Sequence, residues 1–313
     1  MSLYSQKRGG CSHNIIFTNR TLFRHDAIEV LLQRVTMENK IRVFEALNKL
    51  YLDNAANPLL NAAIHKHSEM ITEEFKRKSH FYKFIFKNNR FLVATVTASQ
   101  FYINEEACFS DVKAECLKFG LVSANTISSL LTLMSVSGRI KMKVSKKDKR
   151  KMRYFLTEKG ANDSISLINT MTSALDILSG KKRSHHISLD NIAQYFSRYS
   201  EIYKAGFFII NLVPDAHLFI DKDSGHMVML NLFNIGNKPK REDCKEGALT
   251  RISRECSVSR SHLRNIFIEA EKNNMINYDP KSGEVEILDR FKKMFYTYMS
   301  YYFAFVQYGL QSE

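Results

Sequence analysis

The chain has little of what breaks regular structure. Only 4 prolines and 12 glycines stand among 313 residues, which excludes a protein built of long irregular loops and predicts a mostly helical one. Paired cysteines are missing too. Cys11, Cys108, Cys116, Cys244 and Cys256 are odd in number, form no C-x-x-C pair and have no histidine at ligand spacing, so they read as reduced, mostly buried thiols of a cytoplasmic protein. No apolar core of a signal peptide opens the chain. The longest nearly apolar stretch, Ala205 to Val213, is far short of the roughly 20 residues that span a bilayer, so no membrane partner is expected.

Catalytic patterns are equally scarce. Ser179-Gly180-Lys181-Lys182 lacks the preceding glycine of a phosphate-binding loop, and G-x-S-x-G does not occur. His65-Lys66-His67 and His185-His186 have no carboxylate or cysteine companions in sequence, and read as surface histidines. Neither an enzyme nor a cofactor or metal is expected.

What the chain does have is positive charge. A formal net charge of +14 and a pI near 9.5 favour polyanions, because nucleic acid releases its condensed counterions when cations replace them. Where that charge sits follows from the order of elements. Met1 to His25 is polar and irregular and is expected to form a loose arm. From Asp26 the pattern is helical: Ile28, Leu31, Leu32 and Val35 recur at helical spacing, Phe44, Leu47 and Tyr51 continue it, and Asn57-Pro58 ends it. Further helical stretches run over about 59–86 and 91–102. Asp111 to Phe119 then reads as a short helix, Gly120 as a tight turn, and Ser123 as the N-cap of a helix that Gly138 closes. Arg139 to Val144 and Lys151 to Leu156 form a hairpin, and Thr157-Glu158-Lys159-Gly160 starts another helix. Helix, turn, helix, hairpin is the order of a winged helix-turn-helix.

The order returns. Gly247 to Cys256 is a short helix, Ser257-Val258-Ser259 a turn and cap, Arg260 to Asn273 a helix, and Met275 to Tyr278 with Glu284 to Ile287 a hairpin. Placing Ser123 over Ser259 also pairs Val122 with Val258, Ile127 with Leu263, Leu130 with Ile266, Leu131 with Phe267 and Ile140 with Ile276, without a gap. The expected fold is mainly α with small β-hairpin wings (α+β): an arm over 1–25, a helical platform with a first winged unit over 26–160, and a second platform, winged unit and C-terminal helix over 161–313. Phe291, Met294, Phe295, Tyr298, Tyr302 and Phe305 on that last helix read as a packing stripe, in the core or between units.

Candidate DNA contacts follow from the faces of the second helices. Opposite the stripe Ile127, Leu130, Leu131, Met134 lie Asn125, Ser129, Thr132 and Val136, with Thr126 beside them; small uncharged side chains suit a major groove, and asparagine suits adenine. In the second unit Ser261 and Asn265 oppose the buried stripe, His262 and Arg264 flank it, and Arg260 opens the helix. Arginine is the commonest reader of guanine. Arg251 and Arg254 on the preceding helix are placed to meet the DNA backbone. The first hairpin carries Arg139, Lys141, Lys143, Lys146, Lys147, Lys149, Arg150, Lys151 and Arg153 against the one acid Asp148, a concentration of charge that a polyanion would relieve.

The run from Asp148 to Gly160, with Asp148-Lys149-Arg150 at its start and Leu156-Thr157-Glu158-Lys159-Gly160 at its end, resembles the wing signature of the MarR family. The resemblance covers about 110–160 and implies that Arg150 reaches into a minor groove while Asp148 orients it. MarR proteins carry one such unit and dimerise. This chain has a second, whose wing lacks the Asp-x-Arg and holds only Lys281; the two-unit plan is similar to that of the staphylococcal Sar group. The expected function is a double-stranded DNA-binding transcription regulator, cytoplasmic and nucleoid-associated, acting as a homodimer or as an intramolecular pseudo-dimer. A plasmid-type replication initiator with tandem winged helices and a winged-helix scaffold for proteins are the alternatives.

Overall fold

In a computed structural model of the chain, residues 18–104, 106–181, 185–237 and 246–311 are described, with side chains from residue 36 onward. About 70% of the described residues are helical, and among them are two small antiparallel hairpins. It forms two units, 1–42 and 43–313. Helix α1 (Thr18–Ala55) belongs to both and begins at Thr18, so part of the stretch expected as a loose arm is helical. Residues 1–17, Cys11 and Cys244 lie outside the described residues, as do the side chains of Ile28, Leu31, Leu32 and Val35.

The second unit continues with α2 (Leu60–Arg77), α3 (Ser79–Ile85) and α4 (Asn88–Ile103). Lys78 interrupts what the sequence suggests is one helix over 59–86, because its backbone leaves the helical region. Then come α5 (Phe109–Lys118), α6 (Ala124–Val136), β1 (Ile140–Val144), β2 (Met152–Leu156) and α7 (Glu158–Ser179). The later part holds α8 (Ile192–Lys204), α9 (Ile209–Leu212), α10 (His217–Ile220), α11 (Gly225–Gly236), α12 (Ala248–Glu255), α13 (Arg260–Lys272), β3 (Ile276–Tyr278), β4 (Val285–Ile287) and α14 (Asp289–Leu310). Among the described residues no helix is long and apolar enough to cross a membrane.

Capping explains where the repeated helices start. Ser123 Oγ accepts from Thr126 N at 3.2 Å and Ser259 Oγ from His262 N at 3.1 Å, each satisfying an amide that the first helical turn leaves unpaired. Both helices end alike. Gly138 and Asn274 take left-handed backbone conformations, and the next amides, Arg139 N and Met275 N, donate back to Met134 O and Ala270 O at 2.9 Å. The shift that superposes Ser123 on Ser259 therefore aligns α6 with α13 end to end. It fails from β2 and β4 onward, because the second hairpin has a shorter tip.

The two repeats are supported differently. Val112, Cys116, Ile127, Leu130, Leu131, Ile140 and Tyr154 form a cluster with Val93 and Val96 of α4. Ile252, Leu263, Ile266, Phe267, Ala270 and Ile276 instead join the main core, with Phe291, Phe295 and Phe303 of α14. Each buried Val, Leu, Ile or Phe among them contributes about 1.5–3 kcal/mol by leaving water. The main core also draws on α2, which packs along α7, and on α8, which packs against α4 and α14. The boundary suggested at 160/161 falls inside the first turn of α7, and residues on both sides of it share this core. The stripe of α14 is core, as its spacing suggests. Cys108, Cys116 and Cys256 are free and buried.

Two corrections concern histidine. His185 has a carboxylate after all, with Nδ1 2.9 Å from Asp176 Oδ1. His67 is no surface residue: it is buried with its Nε2 3.2 Å from Nε2 of His226, whose Nδ1 is 3.0 Å from the Tyr298 hydroxyl. Burial pulls His67 down to about 4; burial, then neighbouring His67, holds His226 well below its usual value. Both are neutral at pH 7 in the folded chain. Unfolded, they take protons near pH 6.5, so stability is complete above that pH and is lost as pH falls from about 6.5 through 4. The midpoint of urea unfolding is therefore expected to stay level from pH 8 to 7 and to drop by pH 5. Each histidine contributes up to about 1.4 kcal/mol per pH unit in that window. A level midpoint down to pH 5, or an equal drop in a His67→Phe, His226→Phe variant that folds, would contradict this.

Candidate nucleic-acid interface

The outer face of α6 is as uncharged in space as in sequence. Asn125, Ser129 and Thr132 are exposed, and Val136 is 83% exposed. Thr126 is half-buried and bonded to the cap, with Oγ1 3.0 Å from Ser123 Oγ, so its hydroxyl belongs first to the helix start. Thr132 donates its hydroxyl to Ser128 O at 2.9 Å, which leaves only its oxygen lone pairs and methyl group for an outside partner.

β1 pairs with β2 so that Lys141 faces Phe155 and Lys143 faces Arg153. These four share one side of the hairpin, with the Lys143 ammonium and Arg153 guanidinium 5.6 and 5.1 Å from the Phe155 ring centre. The tip is closed by Ser145, whose buried hydroxyl accepts from Lys147 N and Asp148 N, and by Ser145 N donating to Lys151 O at 2.8 Å. Arg150 is 91% exposed and still held in place: Asp148 Oδ1 accepts from its backbone N at 3.0 Å and from Nε at 3.1 Å, and Oδ2 from Nη2 at 3.4 Å. Those bonds keep the Asp148 carboxyl below the usual carboxylate range, so it is charged. Asp148 thus orients Arg150.

The glycine that closes the same sequence run has a steric cause. Thr157 Oγ1 contacts Gly138 O at 2.7 Å and accepts from Gly160 N at 3.1 Å, capping α7. A Cβ on Gly160 would run into the Arg139 carbonyl. The hairpin, α6 and α7 meet at this one tight point.

Three cations counted from sequence behave otherwise. Arg139 is only 5% exposed: its Nη2 lies 2.7 Å from Asp163 Oδ2 and its guanidinium stacks 3.4 Å from the centre of the Phe81 ring, so it is an internal strut and no part of a charged wing surface. Arg153 is tied to Glu106 at 3.1 Å, and Lys147 lies 3.8 Å from the same carboxylate. Glu106, close in space and far in sequence, is a second acid at the hairpin. No sequence signal announces it, since it arrives through a bridge between Cys108 and Arg153. Among the described residues no acid pairs with Lys141, Lys146, Lys149 or Lys151, which are all exposed.

In the second unit Arg260, Ser261, Arg264 and Asn265 are exposed on α13, while His262 is half-buried and Arg251 on α12 is half-buried. Arg254 is engaged by Glu246 through bonds of 2.6 and 2.8 Å, which removes it as a ready backbone contact. The β3–β4 hairpin is more acidic than its sequence suggests at first sight: Asp279, Glu284 and Glu286 are exposed with Lys281. Asp279 spends its carboxylate on Lys281 N and Ser282 N at 2.8 and 3.2 Å. Positive charge is concentrated on the first hairpin and at the start of α13.

Among the described residues no group of histidine, cysteine and carboxylate side chains could hold a metal ion. Compared with known proteins, the chain matches no family model, no curated protein and no solved structure.

Proposed function

We propose that this chain is a sequence-specific double-stranded DNA-binding transcription regulator. On this reading its two helix-turn-helix-hairpin segments are winged helix-turn-helix units, the first of MarR type, with α6 and α13 entering major grooves. The β1–β2 hairpin lies along the backbone with Arg150 in a minor groove. The observation that carries the reading is the pairing of opposites on the first segment: a helix face without charge beside an exposed cationic hairpin whose outermost arginine is braced by Asp148. Uncharged small side chains meet base edges without repelling phosphates, and cations meet the phosphates that flank them. α7 and α14 are both 22 residues long, follow the two hairpins and touch each other, which supports an intramolecular pseudo-dimer.

Arg150→Ala is expected to weaken binding to duplex DNA by about 1–3 kcal/mol, the worth of one good recognition contact. Its side chain is 91% exposed and, among the described residues, bonded to Asp148 alone, so folding should not change. A titration at fixed salt that returns unaltered affinity takes Arg150 out of the site.

The plasmid-type replication initiator is favoured as second reading by one feature: both candidate helices belong to a single unit of one chain, which suits one copy per repeat of an iterated array. Mapping the DNA bound in cells separates the two, with scattered promoters expected for a regulator and clustered origin repeats for an initiator.

A further inference from the structure

The interior is not filled where α4, α7, α8 and α14 converge. A cavity of ≈ 170 Å³, partly open to solvent, lies there, walled by rings and aliphatic chains such as Phe91, Ala98, Met171, Phe196 and Phe305. An apolar space of about 150 Å³ suffices to hold benzene. Its polar features are few and converge. Tyr199 and Tyr302, both half-buried, line it, and burial raises both phenols above their usual range. His226 and Tyr298, bonded to each other at 3.0 Å, also line it. Lys87, at the start of α4, is the one charged side chain of the lining.

We propose that this cavity is a binding site for a small neutral aromatic molecule with one hydrogen-bonding group, its ring among the phenylalanines and its polar atom at the tyrosine hydroxyls or the His226–Tyr298 pair. A mostly apolar enclosure with a few converging polar groups is the usual form of a small-molecule site. Apart from Lys87, half-buried before α4, the lining offers a charged ligand no counter-charge, so an ion placed among the rings would give up its hydration without replacement. An empty apolar space of this size weakens a fold, and a ring that fills it restores the lost contacts. This inference stands apart from the proposal about DNA and is tested without DNA.

Indole serves as the probe. The chain has no tryptophan, so indole emission is read against tyrosine alone. Saturable binding of one indole per chain is expected, with a thermal midpoint that rises with indole concentration. Ala98→Phe and the milder Thr95→Leu, which fill the space from α4, are expected to weaken binding by about tenfold or more while circular dichroism shows helix retained. Since an overfilled core can fail to fold, xenon-pressurised crystals of the unaltered protein give a second readout, with xenon expected between α4 and α8. Absence of saturable indole binding overturns the proposal even if xenon enters, because the space is then a dry void. Indole binding that both folded variants leave unchanged also overturns it. Benzoate bound about tenfold more tightly than indole overturns the neutral ligand class.

Discussion

Asp163→Ala is expected to cost the fold about 3–5 kcal/mol, the usual penalty for removing one partner of a buried ion pair. Asp163, in the first turns of α7, is buried and touches two cations: Arg139 Nη2 at 2.7 Å and Lys78 Nζ at 2.6 Å. Without the carboxylate the buried Arg139 guanidinium keeps, among the described residues, the Phe81 ring as its neighbour, and a ring offers far less than an anion. The same reasoning sets a contrast. Arg139→Met with Asp163→Leu removes both charges together and is expected to lose much less, since the surviving charge, not the missing attraction, causes most of the damage. Denaturant unfolding of the three proteins at pH 7 measures this. A loss under about 1 kcal/mol in Asp163→Ala would mean that water reaches the pair. The double replacement should also leave the salt dependence of any DNA binding unaltered, because Arg139 does not face outward.

Neutralising Lys146, Lys147 and Lys149 together is expected to reduce affinity for every duplex, cognate or random. If each meets one phosphate, the slope of log K against log salt flattens by up to about 0.9 per lysine, and at 0.1 M salt three lost contacts amount to a few hundredfold. Lys147 contributes least, because Glu106 already lies 3.8 Å from it. Arg260 and Arg264 stand on the opposite footing. They sit on a helix whose hairpin is acidic, so their replacement should mainly erode the preference for the cognate site, by about 1–3 kcal/mol each where a guanine is read. Affinities measured side by side on cognate and random duplexes decide the assignment. Lysine changes that alter preference, with arginine changes that alter only general affinity, would reverse it.

What the sequence determined by itself is local. Ser123 and Ser259 cap their helices because the hydroxyl and the amide it serves are within one turn of each other. Gly138 and Asn274 close those helices through bonds to the preceding turn. The buried stripes of α6 and α13 follow from helical spacing alone, and Asp148 reaches Arg150 across two residues. All such features depend on neighbours in the chain, so pattern and spacing suffice to read them.

Tertiary structure decided the rest, and above all which charges remain free. Arg139 reads as a wing cation until α7 brings Asp163 to it; Arg153 and Lys147 read as unpaired until the segment before α5 brings Glu106; Arg254 reads as a backbone contact until Glu246 folds over it. His67 reads as a surface residue until α11 and α14 close around it, and Tyr302 reads as packing until four helices leave a space beside it. A side chain's charge is fixed by its chemistry, but whether that charge faces water, a carboxylate or a ring depends on how segments pack, most of them far away in sequence. No period or spacing encodes that, because it is settled only when the helices pack.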